Sequence, residues 1–219
     1  MNDVTDEDSQ EGAGRYIVRH SLIDRLFHWI TAISVSILLF TSFLPILGIK
    51  FSWVTLHWVS GFVLGLVIFA HIVRSLFWQD LRSMWFGVRD VKETVTTLGW
   101  LLNLRSGALS KSGKYSPAQK LMHHGVSVFV LITIITGLLM MIKIDTPLWE
   151  RDPYWLSDQS WGIVYVLHGL AALILMSIVM IHIYFSLRPE KLMYLRSMIF
   201  GWLSKAEFMN QHDPKRWRK

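Results

Sequence analysis

The 219-residue chain contains no cysteine. That absence excludes iron–sulfur ligation, covalent c-type haem, disulfides and thiol catalysis by this chain itself. Any redox cofactor must therefore be held by histidine, methionine or noncovalent contacts. Acidic residues are missing from the long apolar stretches, and no internal repeat or broken helix interrupts them. A transporter built on a proton relay would use such features. The start of the chain, "MNDVTDEDSQEGAG", lacks the basic residues and cleavage site of a signal peptide. Residues 1–15 read instead as a disordered acidic tail.

What is present is apolar surface. Hydrophobic residues make up 52% of the chain, more than a soluble domain of this size needs. Four segments, at about 26–48, 53–78, 118–142 and 161–187, are long enough to cross a bilayer. The expected fold class is an all-α membrane protein, a four-helix transmembrane bundle. Between the second and third spans, "DVKETVTTLGWLLN" puts Val91, Val95, Leu98 and Leu102 on one face, as in a short interfacial helix. The resulting plan is a tail at 1–15, a transmembrane domain at 16–187 and a basic C-terminal tail at 188–219.

The net charge of +6 lies between the spans rather than on a soluble face, so it reads as a topology signal and not as a nucleic-acid surface. The N-terminal segment, the 79–117 loop and the C-terminal segment hold most of the Lys and Arg. The other two loops hold Lys50, Lys143 and Arg151 against Asp145, Glu150, Asp152 and Asp158. Both termini are therefore placed in the cytoplasm.

With orientation set, the histidines acquire depths. His168 and His182 are fourteen residues apart on the fourth span, about 21 Å along the axis and about 40° short of four full turns. They share a face, one towards each membrane surface. His57, early in a span that starts outside, shares the depth of His168. His28, early in a span that starts inside, shares the depth of His182. Paired imidazoles on facing helices suit a haem iron with two axial ligands. Such a centre has no open position and carries electrons. A lone helical histidine is more often a packing residue, but four at matched depths favour ligation. Zinc would need four ligands within a few ångströms. One alternative stays open on spacing alone: His71 lies fourteen residues after His57 and could replace His28. His20, His123, His124 and His212 sit at cytoplasmic ends or in the tail, where a solvated or headgroup-contacting role is expected. Gly61, Gly65 and Gly169 would leave room for a porphyrin, or would serve a small-xxx-small helix contact.

"IVRHSLIDRLFHW" at 17–29, "LHWVSG" at 56–61, "GKYSPAQK" at 113–120, the "LHG…IHIYF" pattern of the fourth span and the terminal "HDPKRW" together resemble one family. It is the cytochrome b (gamma) subunit of membrane-bound respiratory formate dehydrogenase, of the bacterial inner membrane. The resemblance covers almost the whole chain after residue 15. It implies two b haems, with His28 and His182 as axial ligands on the cytoplasmic side and His57 and His168 on the periplasmic side. It thus implies His28 rather than His71. It implies as partners an iron–sulfur beta subunit and a molybdenum or tungsten catalytic alpha subunit. It also implies electron delivery to menaquinone or ubiquinone near the cytoplasmic surface, with Ser116, Ala118, Gln119 and His182 as quinone contacts. Where best-known members read close to "GKYNAGQK", this chain has Ser116 and Ala118 in place of Asn and Gly, and keeps Gln119. The alternatives are a cytochrome b of a nickel–iron hydrogenase or thiosulfate-type reductase, or a haem-free membrane anchor.

Overall fold

Ser21 and Asp24 open the first span with a reciprocal cap. Ser21 Oγ accepts the Asp24 N–H at 3.2 Å, and an Asp24 carboxylate oxygen accepts the Ser21 N–H at 3.1 Å. These bonds satisfy orphan donors of the first turn. The helix α1 therefore runs Leu22–Ile46, starting earlier than hydropathy alone places it. In this computed structural model, which describes residues 16–78, 81–104 and 111–217, the other spans are α2 (Trp53–Trp78), α5 (Pro117–Met141) and α6 (Asp158–Leu187). Two shorter helices, α3 (Leu81–Met84) and α4 (Val88–Leu101), fall between α2 and α5. The tail expected at 1–15 lies outside the described residues. All four spans are long and apolar enough to cross a membrane.

The chain divides into two compact units. The first gathers Leu26–Phe77 and His124–His182, and so holds a stretch of every span. Its centre is a layer of Val35, Leu64, Val130 and Leu175, one residue from each helix, all buried. Leu175 stands seven residues after His168 and seven before His182, so this layer lies midway between the two histidine depths. Outward-facing Leu66, Phe69, Leu138 and Ile181 stay exposed. Lipid is as apolar as these side chains, so close packing rather than burial from water holds such helices together. Gly61 and Gly65 serve that packing. A Cβ at Gly61 would meet Leu38 of α1 at 3.7 Å, and one at Gly65 would meet Ile134 of α5 at 3.9 Å. Both are ordinary contact distances, so α2 lies against α1 at Gly61 and against α5 at Gly65.

The second unit takes the described residues up to Arg25, Trp78–His123 and Ile183 onwards. In α4 the apolar row Val91, Val95, Leu98 is exposed, while Asp90 on another face is buried and holds Lys120 Nζ at 3.0 Å. An exposed apolar row beside a paired polar face suits a helix lying in the membrane surface. The C-terminal segment expected as a tail is folded. A 3₁₀ turn at Pro189–Lys191 leads to α7 (Leu192–Phe200), a short strand β2 (Trp202–Ser204) and α8 (Lys205–Gln211). β2 pairs antiparallel with β1 (Tyr16–Val18), register Ile17 to Leu203. Gly201 makes the turn into β2 at φ 92°, and a Cβ there would lie 2.9 Å from the His20 carbonyl oxygen. Only glycine meets both demands.

Candidate metal centres

In the helical unit the structure brings together the histidines that depth had paired. His57 of α2 faces His168 of α6 with ring centroids 6.4 Å apart. His28 of α1 faces His182 of α6 at 6.3 Å. A metal–imidazole bond is about 2 Å long and a ring centroid lies about 1 Å beyond its nitrogen, so two imidazoles in line across one iron have centroids about 6 Å apart. Both pairs match that span. His71 has other company: its ring stacks on Phe27 at 4.0 Å, with 16° between planes. Among the described residues no three His, Asp or Glu side chains gather as a metal cluster. The arrangement suits two-ligand centres whose remaining positions come from a macrocycle, as in haem.

Which nitrogen faces the partner ring follows from two threonines. Thr41 Oγ1 lies 2.7 Å from the Ile37 carbonyl and 2.8 Å from His57 Nδ1. A carbonyl only accepts, so the hydroxyl hydrogen is spent on Ile37, and His57 Nδ1–H must donate to Thr41. Thr136 repeats the relation, donating to the Ile132 carbonyl at 2.6 Å and accepting from His168 Nδ1 at 2.8 Å. Both rings thereby take the Nδ1–H tautomer, which leaves each Nε2 with a lone pair for a metal. Two lone pairs cannot bond each other. An electron-pair acceptor such as iron satisfies both, so the residues fit the group.

Three contributors here escape sequence reasoning: Thr41, Thr136 and Gly137. A Cβ at Gly137 would lie 3.4 Å from His168 Cε1, at the near edge of ordinary contact. A helical threonine usually turns its hydroxyl back on its own helix, and nothing in the sequence tells one that also meets a histidine from one that does not. The His28–His182 pair differs. His28 Nδ1 is buried with no hydrogen-bond partner among the described residues.

The other unit holds the remaining expected site residues. Ser116 and Gln119 cap α5 together: the Gln119 side-chain carbonyl accepts the Ser116 N–H at 3.0 Å, and Ser116 Oγ accepts the Gln119 N–H at 3.3 Å. Ala118 follows Pro117 in the same first turn. Beside them "GKY" and "HDPKRW" interlock. His212, expected to be solvated, is fully buried and donates from Nδ1 to the Gly113 carbonyl at 2.7 Å. Its Nε2 accepts from Arg19 Nη1 at 3.0 Å. Arg19 also bonds the Lys114 carbonyl and lies over the Tyr194 ring at 4.4 Å. The reason for the correction is this partner set, which comes from segments about a hundred and about two hundred residues away along the chain. Burial pushes Arg19 below the usual arginine range and raises Tyr115 and Tyr194.

A family model described as prokaryotic cytochrome b561 matches residues 19–201. Among similar proteins, the cytochrome b556(fdo) subunit of formate dehydrogenase from Escherichia coli K12 is 24% identical over 218 residues, covering 93% of this chain and 92% of that protein. The cytochrome b556 subunit of formate dehydrogenase from Haemophilus influenzae is 23% identical, covering 93% and 83%. A probable Ni/Fe-hydrogenase B-type cytochrome subunit from Bradyrhizobium diazoefficiens is 27% identical, covering 82% and 81%.

Proposed function

The chain belongs to the prokaryotic cytochrome b561 family, and from that premise we propose that it is the di-haem electron-transfer subunit of a membrane-bound formate dehydrogenase. As a cytochrome b with four membrane-spanning helices it is a multi-pass electron carrier. The finer reading rests on one observation above the others: two histidine pairs on the same helices, each spaced for one iron between two imidazoles. Haem, when bound, supplies one-electron chemistry with no open coordination position. The protein's own part is to hold His57 and His168 in one tautomer through Thr41 and Thr136, and to separate the two pairs by the apolar layer of Val35, Leu64, Val130 and Leu175.

In this reading the chain anchors an iron–sulfur subunit and a molybdenum or tungsten catalytic subunit to the bacterial inner membrane. Electrons pass from them to menaquinone or ubiquinone beside the first turn of α5. Ser116, Ala118 and Gln119 lie in that turn, and the cap leaves the Gln119 amide N–H₂ as a donor. Similarity over 93% of this chain to two formate dehydrogenase cytochrome subunits supports the assignment. Similarity to a probable Ni/Fe-hydrogenase cytochrome favours a second reading, in which the electrons come from a hydrogenase. Identification of the large subunit that co-purifies separates the two.

The ligand reading is tested by a pyridine haemochrome assay on the purified complex. About two haems b per polypeptide are expected, one per histidine pair. His57→Ala and His168→Ala should each lose the same single haem, and His182→Ala the other. A parent ratio near zero overturns the reading, and a ratio near one removes one pair.

A further inference from the structure

We infer that Thr41 and Thr136 are positioning residues that lower the redox potential of the periplasmic-side haem. The inference rests on the di-haem reading and deepens it. Its basis is an asymmetry. At the outer pair both ligand rings donate Nδ1–H to a threonine oxygen at 2.8 Å. Each threonine is itself held by donating to a carbonyl one turn back, Ile37 for Thr41 and Ile132 for Thr136. At the inner pair His28 Nδ1 is buried with no such partner among the described residues.

The physical consequence has a sign. A hydrogen bond donated from Nδ1 leaves more electron density on Nε2, so the ring becomes a stronger donor to iron. Stronger donation favours the ferric over the ferrous state and lowers the potential. The bonds lie in low-dielectric surroundings, where such polarisation is stronger than in water. The threonine chains also run through four helices: α1 and α5 supply the hydroxyls, α2 and α6 the rings. Ring orientation is thus tied to the bundle as a whole.

Thr136 offers the cleaner test. At His57 a second hydroxyl, Ser42 Oγ, lies 3.5 Å from Nδ1 and could take over when Thr41 is changed. Thr136→Val keeps the side-chain volume and removes the hydroxyl. Thr136→Ser keeps the hydroxyl. The purified complex is titrated potentiometrically with optical and EPR detection, and haem is counted in each sample. Parent protein in the His28→Ala background, left with the outer haem alone, assigns the transitions.

The expected result is two haems in Thr136→Val, with the outer midpoint raised and the inner one unmoved. Thr136→Ser should return the outer midpoint to the parent value. Loss of the outer haem alone in Thr136→Val, restored in Thr136→Ser, also supports positioning. An unshifted or lowered outer midpoint in Thr136→Val overturns the inference, as does failure of the serine to restore it. If Thr136→Val loses both haems, Thr41→Val asks the same question from α1, and the absence of an upward shift there overturns it. Failure of the di-haem reading is visible separately, as fewer than two haems in the parent.

Discussion

Ser116 and Gln119 hold each other across the first turn of α5, side chain to backbone in both directions. A capping role and a quinone-contact role therefore compete for the same two residues. Ser116→Ala removes a cap worth about 1 kcal/mol, so slow quinone turnover in that variant does not by itself identify a contact. Ser116→Asp and Gln119→Glu preserve the cap, since aspartate caps well and the glutamate keeps the accepting oxygen. Gln119→Glu loses the amide N–H₂ and gains a carboxylate charge, which the helix N-terminus favours. Slowed quinone reduction in Gln119→Glu, with unchanged haem content and unchanged haem reduction by the donor, is the expected outcome. Parent-like turnover in Gln119→Glu would leave this turn as a helix start alone.

His28 and His71 are separated by their surroundings. His28 faces another imidazole, whereas His71 stacks on Phe27 and lies 3.5 Å from Ser75 Oγ. His28→Ala should therefore bind one haem per chain and His71→Ala two, read by haemochrome content and the low-spin spectrum. The stacking lost in His71→Ala should cost about 1 kcal/mol of stability. Two haems in His28→Ala with one in His71→Ala would reverse the assignment.

The parts of this architecture that were legible in the sequence are those carried by composition and by period. Four apolar runs give four spans because each lipid-facing position has to be apolar. Fourteen-residue spacing puts His168 and His182 on one face because the helix period is fixed. The contacts that tune the site were not legible. Thr41 reaches a histidine sixteen residues away and Thr136 one thirty-two residues away, each across a helix–helix boundary. The pairing of Ile17 with Leu203 and of Arg19 with His212 joins the two ends of the chain. Short strands of three residues carry too little pattern to announce themselves. Gly137 reads as one more small residue until the His168 ring is placed against it.

That last contact supports a substitution series. Gly137→Ala places its Cβ at the near edge of ordinary contact with His168, and Gly137→Val adds two methyl groups where the ring already lies. Gly137→Val should lose the haem held by His57 and His168 and retain the other. Gly65→Ala, whose Cβ meets Ile134 at 3.9 Å, should retain both. Haem counting across the three variants checks the gradient. Equal haem content in all of them would show that the His168 ring tolerates displacement.

Asp90 and Lys120 form the most enclosed ion pair among the described residues, 3.0 Å apart, with Lys120 also donating to the Trp85 carbonyl. Asp90 Oδ2 further accepts the Gly87 N–H at 2.9 Å and so starts α4. Removing one partner of a buried pair leaves an uncompensated charge and costs about 3–5 kcal/mol. Asp90→Asn should thus destabilise the α4 region by about 3 kcal/mol, seen as faster hydrogen exchange along 88–101. Asp90→Asn with Lys120→Met should recover most of the loss. Unchanged exchange in Asp90→Asn would mean that water already reaches the pair.

His212 makes the same unit sensitive to acid. Burial lowers its pKa from the ordinary value, the Gly113 carbonyl opposes that shift, and the Arg19 charge adds to it. In the fold both ring nitrogens are used as in a neutral imidazole, Nδ1 donating to Gly113 and Nε2 accepting from Arg19. Protonation would turn Nε2 into a second donor facing the guanidinium. The unfolded chain takes up this proton first, near pH 6.5. The contribution to stability is therefore complete above about pH 6.5 and is lost as pH falls below it towards the folded pKa. Of the other groups around the ring, Arg19, Tyr194 and Tyr115 keep one charge state across this window. Hydrogen exchange of residues 111–116 and 202–212, corrected for intrinsic rates, should show protection at pH 8 that declines by pH 5.5. His212→Gln can both donate and accept but does not titrate, so its protection should be weaker and flat across the same range. Equal protection of the parent at both pH values would show that the imidazole stays neutral in the fold and in the opened state alike, and that acid acts on this unit elsewhere.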